Sequence, residues 1–176
     1  MLLLNDNKRA SMKQNILFKT LIDILFFLQC FGLLGTILIL PNNIGTICQA
    51  NTSLENWNIT HWLIFILSTL GYLLFLIGLY FLRKMARHYL SNQPFSTNII
   101  QYLKKSGRYF ILYGCITIGV ITIQFLEKLF NSTMEFTYDI NIQMSIVSLI
   151  IGLFFILQSN TLSNAKKLKE ENDLTI

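Results

Sequence analysis

Apolar and polar positions in this chain separate into long blocks. Apolar runs occupy residues 16–40, 61–82, 109–126 and 140–157. A helix needs roughly 20 such residues to cross a hydrocarbon core about 30 Å thick. The second run carries no Asp, Glu, Lys or Arg. In lipid the backbone must satisfy its own hydrogen bonds, so each run is predicted to be a helix. Pro41, followed by Asn42 and Asn43, ends the first. The pattern predicts an all-α chain: one membrane domain over 1–176, built as a four-transmembrane-helix bundle.

The polar segments are its connections. Residues 42–59 form a loop with glycosylation triplets at Asn51 and Asn58, which matter only in a eukaryotic secretory route. Trp57 and Trp62 bracket the start of the second span, as rings at a membrane interface do. A short turn containing Glu127, Lys128, Glu135 and Asp139 joins the third span to the fourth. The first run follows a basic start, as in a signal peptide, but it is long and no Ala-x-Ala site follows it. It is expected to be a retained span.

Charge assigns the sides. The chain has 176 residues, 53% hydrophobic and 13% charged, with a formal net charge of +5. Lys8, Arg9, Lys13 and Lys19 precede or open span one; Arg83, Lys84, Arg87, Lys104, Lys105 and Arg108 lie between spans two and three; Lys166, Lys167 and Lys169 follow span four. Of the 14 basic residues, only Lys128 falls on the other side. Basic residues resist translocation, so both termini and the central stretch are expected in the cytoplasm. The positive charge then answers to anionic lipid, and no direct nucleic-acid binding is expected.

The central basic stretch, 83–108, is read as a cytoplasmic hairpin. Arg83 to Leu90 continues the helix of span two, Ser91-Asn92-Gln93-Pro94 breaks it, and Ser96 or Thr97 caps a new helix. Ile99, Ile100, Tyr102 and Leu103 give that helix an apolar face, while Lys104 and Lys105 point to water or lipid phosphate. The hairpin is expected either to rest on the inner leaflet or to dock a cytoplasmic protein. The tail, 163–176, extends span four, turns acidic at Glu170, Glu171 and Asp173, and ends on apolar Leu174 and Ile176.

Few residues offer chemistry. Asp23 is the only acid well inside a span, and an intramembrane carboxylate is costly enough to be a functional candidate. Lys19, four residues earlier, is expected to pair with it. Gly71 and Gly78 share a face of span two, and Gly114, Thr117 and Gly119 are the small residues of span three, all expected to serve helix packing. His61 and His88 fall on opposite sides, the remaining acids are scattered, and Cys30, Cys48 and Cys115 have no metal-knuckle spacing. No catalytic constellation, metal site or cofactor is expected, and the protein is not read as an enzyme.

Two segments carry a family resemblance. Asn92-Gln93-Pro94-Phe95-Ser96 resembles a Gly-x-Pro-Phe-Ser-like turn between spans two and three, with Asn92 where Gly is frequent. The terminal Glu170-Glu171-Asn172-Asp173-Leu174-Thr175-Ile176 looks like the same family's characteristic ending. That family is the bacterial domain of unknown function 2975, four-span proteins of this length. The resemblance implies a multi-pass protein of the bacterial inner (plasma) membrane without established chemistry, encoded near a small helix-turn-helix regulator, and so a cytoplasmic DNA-binding regulator as partner. The contact candidates for such a partner, or for membrane lipid, are Arg83, Lys84, Arg87, Phe95, Lys104, Lys105, Leu174, Thr175 and Ile176. The alternative is a small transporter, or an immunity or resistance factor, acting as a homo-oligomer, with Asp23 as its intramembrane acid.

Overall fold

The computed structural model describes residues 2–39, 59–89, 96–130 and 140–174, all of them helical except Ser96. Among the described residues there are four helices: α1 (Leu2–Ile39), α2 (Ile59–Tyr89), α3 (Thr97–Phe130) and α4 (Ile140–Leu174). Each is long and apolar enough to cross a membrane. Threonines do not interrupt them, because Thr20, Thr69, Thr117, Thr122 and Thr161 return their hydroxyls to carbonyls of their own helix four residues back.

The helices pack in chain order, α1 on α2, α2 on α3 and α3 on α4. Pairs such as Gln29–Tyr72, Phe81–Tyr109 and Ser159–Ile100 run in opposite directions along each seam, so every neighbour is antiparallel. The two ends of the array are unlike. One end, called here the basic end, carries Lys13, Lys19, Arg83, Lys84, Arg87, Lys104, Lys105, Arg108, Lys166, Lys167 and Lys169. The other carries His61, Glu127 and Lys128, with His61 Nδ1 3.9 Å from Glu127 Oε1.

The main core sits towards the basic end. Leu79, Leu82, Met85 and Ala86 of α2 meet Ile99, Leu103 and Phe110 of α3, with Ile22 of α1 beside them and Leu162 of α4 packed against the cluster. The described arms of the central stretch, 83–89 and 97–108, are the ends of α2 and α3, and Ile99 and Leu103 of the second arm pack into this core against α2. α3 begins where Ser96 O accepts from the Ile99 and Ile100 amides (3.1 and 3.4 Å).

The α3–α4 seam is the closest. A Cβ on Gly107 would lie 2.7 Å from Gly152 O, and a Cβ on Gly152 would lie 2.8 Å from Gly107 O. Only glycine permits backbones so near. Serines lock the seam: Ser148 Oγ donates to Phe110 O (3.2 Å) and Ser159 Oγ to Ile100 O (2.9 Å). Across the α2–α3 seam, Ser106, fully buried, donates to Gly78 O (2.9 Å).

Candidate functional site

The chemistry-bearing residues collect at the basic end, where α1, α2 and α3 meet. Arg83 of α2 donates from Nε to Asp23 Oδ1 of α1. Its guanidinium also lies over the Phe26 and Phe27 rings, 5.0 and 4.8 Å from their centroids. Both charged side chains are largely covered, at 17% and 22% exposure. The expected Asp23–Lys19 pair is not formed. Lys19 lies on α1's own surface one turn towards the basic end, whereas Arg83 reaches Asp23 from the neighbouring helix. Arg83 also offers a planar group that stacks on aromatic faces, which an ammonium does less well. Two turns deeper, Tyr72 Oη lies 2.7 Å from the Gln29 carbonyl and 2.8 Å from Gln29 Oε1. These polar contacts, with Ile22, are what fasten α1, whose outward residues Leu21, Ile24, Leu28 and Phe31 are exposed.

A second arrangement occupies the α2–α3 seam. Rings from alternate helices form a column: His88 stacks on Tyr102 (5.5 Å), Tyr102 on Phe81 (6.3 Å) and Phe81 on Tyr109 (5.6 Å). Two lysines lie on it, each on a ring of the opposite helix. Lys84 Nζ of α2 is 5.1 Å from the Tyr102 centroid, and Lys105 Nζ of α3 is 5.5 Å from the Phe81 centroid. The spacing is the same on both helices. Phe81, Lys84 and His88 stand at i, i+3 and i+7, as do Tyr102, Lys105 and Tyr109. Such cation–ring contacts contribute about 0.5–1 kcal/mol each at exposed sites.

The other candidates divide. Arg87 is exposed on the last turn of α2, and Lys104 is exposed on α3. Leu174 closes α4. Phe95, Thr175 and Ile176 lie outside the described residues, as do the Asn92–Phe95 turn, the triplet asparagines Asn51 and Asn58, Cys48 and Trp57. The structure thus brings Asp23 to Arg83, and Lys84 and Lys105 to adjacent rings of one column, while Arg87 and Lys104 are exposed on the surface. The phenylalanine pair Phe26–Phe27 and the ring column were not singled out by sequence. The repeated aromatic-x-x-Lys-x-x-x-aromatic spacing was the signal that could have revealed the column.

Four antiparallel apolar helices, with all their described Lys and Arg residues except Lys128 at one end, define a multi-pass α-helical membrane protein. A family described as "Protein of unknown function (DUF2975)" matches residues 46–176, most of the chain, and the chain belongs to that family. No curated protein and no solved structure matches it.

Proposed function

We propose that this is a non-enzymatic regulatory protein of the bacterial inner membrane, with both termini in the cytoplasm, and that its basic end docks a cytoplasmic helix-turn-helix regulator. The observation that carries the reading is the end of α4. At about 1.5 Å per residue, its 35 residues span about 50 Å, well beyond a hydrocarbon core of about 30 Å. Residues 167–173 are all exposed, and Leu168 is 62% exposed on a helix that no other described element covers there. An apolar side chain on a projecting, charged helix is a handle for a partner helix. Arg87 and Lys104, exposed on α2 and α3, add positive charge at the same end.

The transporter alternative relies on Asp23 as a group free to exchange protons within the membrane. The Arg83 guanidinium already occupies that carboxylate, which supports a structural role instead.

The test is capture of a purified cytoplasmic helix-turn-helix regulator by the full-length protein in detergent and by a chain ending at Lys167, which lacks Leu168 and the acidic tail. The full-length protein should retain the regulator and the shortened chain should release it. Failure of the full-length protein to retain it refutes the proposal. Asp23→Asn should leave retention unchanged.

A further inference from the structure

We propose that Lys84 and Lys105, with the ring column beneath them, form a binding site for the phosphate of an anionic phospholipid in the leaflet on the basic side. The inference is independent of the regulator reading and would stand if that reading failed.

The first observation is the contrast between neighbouring cations. Arg83 has an internal carboxylate, Asp23. Lys84 and Lys105 have none within ion-pair distance among the described residues. An ammonium at the edge of a low-dielectric slab gains from an anion, and the abundant anions at that depth are lipid phosphates.

The second is that both cations are positioned rather than loose. Each ammonium lies over a ring of the opposite helix, and Lys84 Nζ is also 6.0 Å from the Tyr80 centroid of its own helix, so the cross-helix contacts exist only when α2 and α3 are assembled. The matched i, i+3, i+7 spacing makes the arrangement reciprocal. Exposed Arg108, by contrast, rests on no ring within cation–π reach among the described residues.

The third identifies the occupant as an amphiphile. The column crosses the polar–apolar boundary of the sequence. His88 and Tyr102 lie in the basic stretch, Phe81 is in the charge-free run 61–82, and Tyr109 is the first residue of the run 109–126. A ligand with phosphate at the lysines and an acyl chain along Phe81 and Tyr109 uses the whole surface. Inorganic phosphate would use only the lysines. A zwitterionic lipid brings its own ammonium, which offsets the attraction.

The experiment melts the purified full-length protein in detergent micelles carrying phosphatidylglycerol, phosphatidylcholine or inorganic phosphate at equal phosphate concentration. Binding to the folded form raises the melting midpoint. Phosphatidylglycerol should raise it, and the other two should not. Lys84→Gln/Lys105→Gln should weaken the apparent affinity roughly ten-fold or more. Lys84→Arg/Lys105→Arg should keep it, and so should Arg108→Gln/Lys167→Gln, which removes the same charge from exposed positions. Should the double Gln variant fail to fold without lipid, the exposed single Lys105→Gln serves, with a smaller loss expected. Equal shifts from all three additives overturn the proposal. So does an equal loss in the Arg108/Lys167 variant, or no loss in either Gln variant.

Discussion

Gly152→Ala is the sharpest test of how this fold is held. The added Cβ would stand 2.7 Å from Ile111 Cγ1, 2.8 Å from Gly107 O and 2.9 Å from Ile111 N. Ile111 Cγ1 can move with its side chain; the two backbone atoms cannot. Ordinary contact begins at 3.4 Å, so α3 and α4 must part by about 0.6 Å (3.4 − 2.8). That movement stretches the Ser148 Oγ–Phe110 O bond from 3.2 Å to about 3.8 Å, beyond hydrogen-bonding range. Overpacking of this kind costs about 1–3 kcal/mol, and an interhelical hydrogen bond in a membrane protein contributes roughly 0.6 kcal/mol. The loss should therefore be about 2–3 kcal/mol, before the gain in helix propensity on going from Gly to Ala. Gly119→Ala removes that last term by comparison, because a Cβ there has nothing within 4 Å. The assay is reversible unfolding of the full-length protein in mixed micelles titrated with dodecyl sulfate, followed by tryptophan fluorescence. Gly152→Ala should be less stable than Gly119→Ala by about 2–3 kcal/mol. A difference below about 0.5 kcal/mol, the scatter of ordinary surface changes, would refute the close-approach argument.

The remaining predictions concern α1 and the tail. A double-mutant cycle on Asp23→Asn and Arg83→Gln should give a coupling of about 1–2 kcal/mol. That is less than for a fully buried pair, because both groups keep some exposure. The parallel cycle with Lys19→Gln should give nearly zero, and the reverse ranking would return the acid to Lys19. Tyr72→Phe removes contacts to the Gln29 carbonyl and side chain and should cost about 0.5–1.5 kcal/mol. It should also speed hydrogen exchange in α1 while leaving α3 and α4 unchanged, and uniform acceleration would show that α1 is not separately fastened. Lys166→Ala removes an i,i+4 partner of Glu170 on an exposed helix and should change stability by no more than about 0.5 kcal/mol. A larger change would mean that the α4 extension is packed against something in the isolated protein.

The sequence disclosed the spans because a bilayer imposes a length and a composition, and both are local properties of the chain. It also placed the start of α3 near Ser96, since capping residues and apolar periodicity act over a few positions; the break it reads at Ser91–Pro94 lies outside the described residues. It did not disclose partners. Asp23 sits equally well for Lys19 by spacing and for Arg83 by packing, and only the position of α2 beside α1 decides between them. Gly119 and Gly114 look alike in the run 109–126. One faces open space, while the other has Leu149 and the Ser145 carbonyl against it.

By itself, then, the sequence determined that this protein is four apolar helices with charge segregated to one end, because hydrophobicity and charge are summed along the chain without regard to contacts. The tertiary structure decided which small residues bring backbones together and which acid meets which base. It also decided that two lysines 21 positions apart (105 − 84) lie on each other's aromatic neighbours. Those outcomes depend on the rotation and register of whole helices. Within a lipid-facing apolar surface, hydrophobicity looks alike in every direction and leaves that register unspecified. The interhelical polar contacts and the glycine–serine seam supply the directionality, and they become visible only once the helices are side by side.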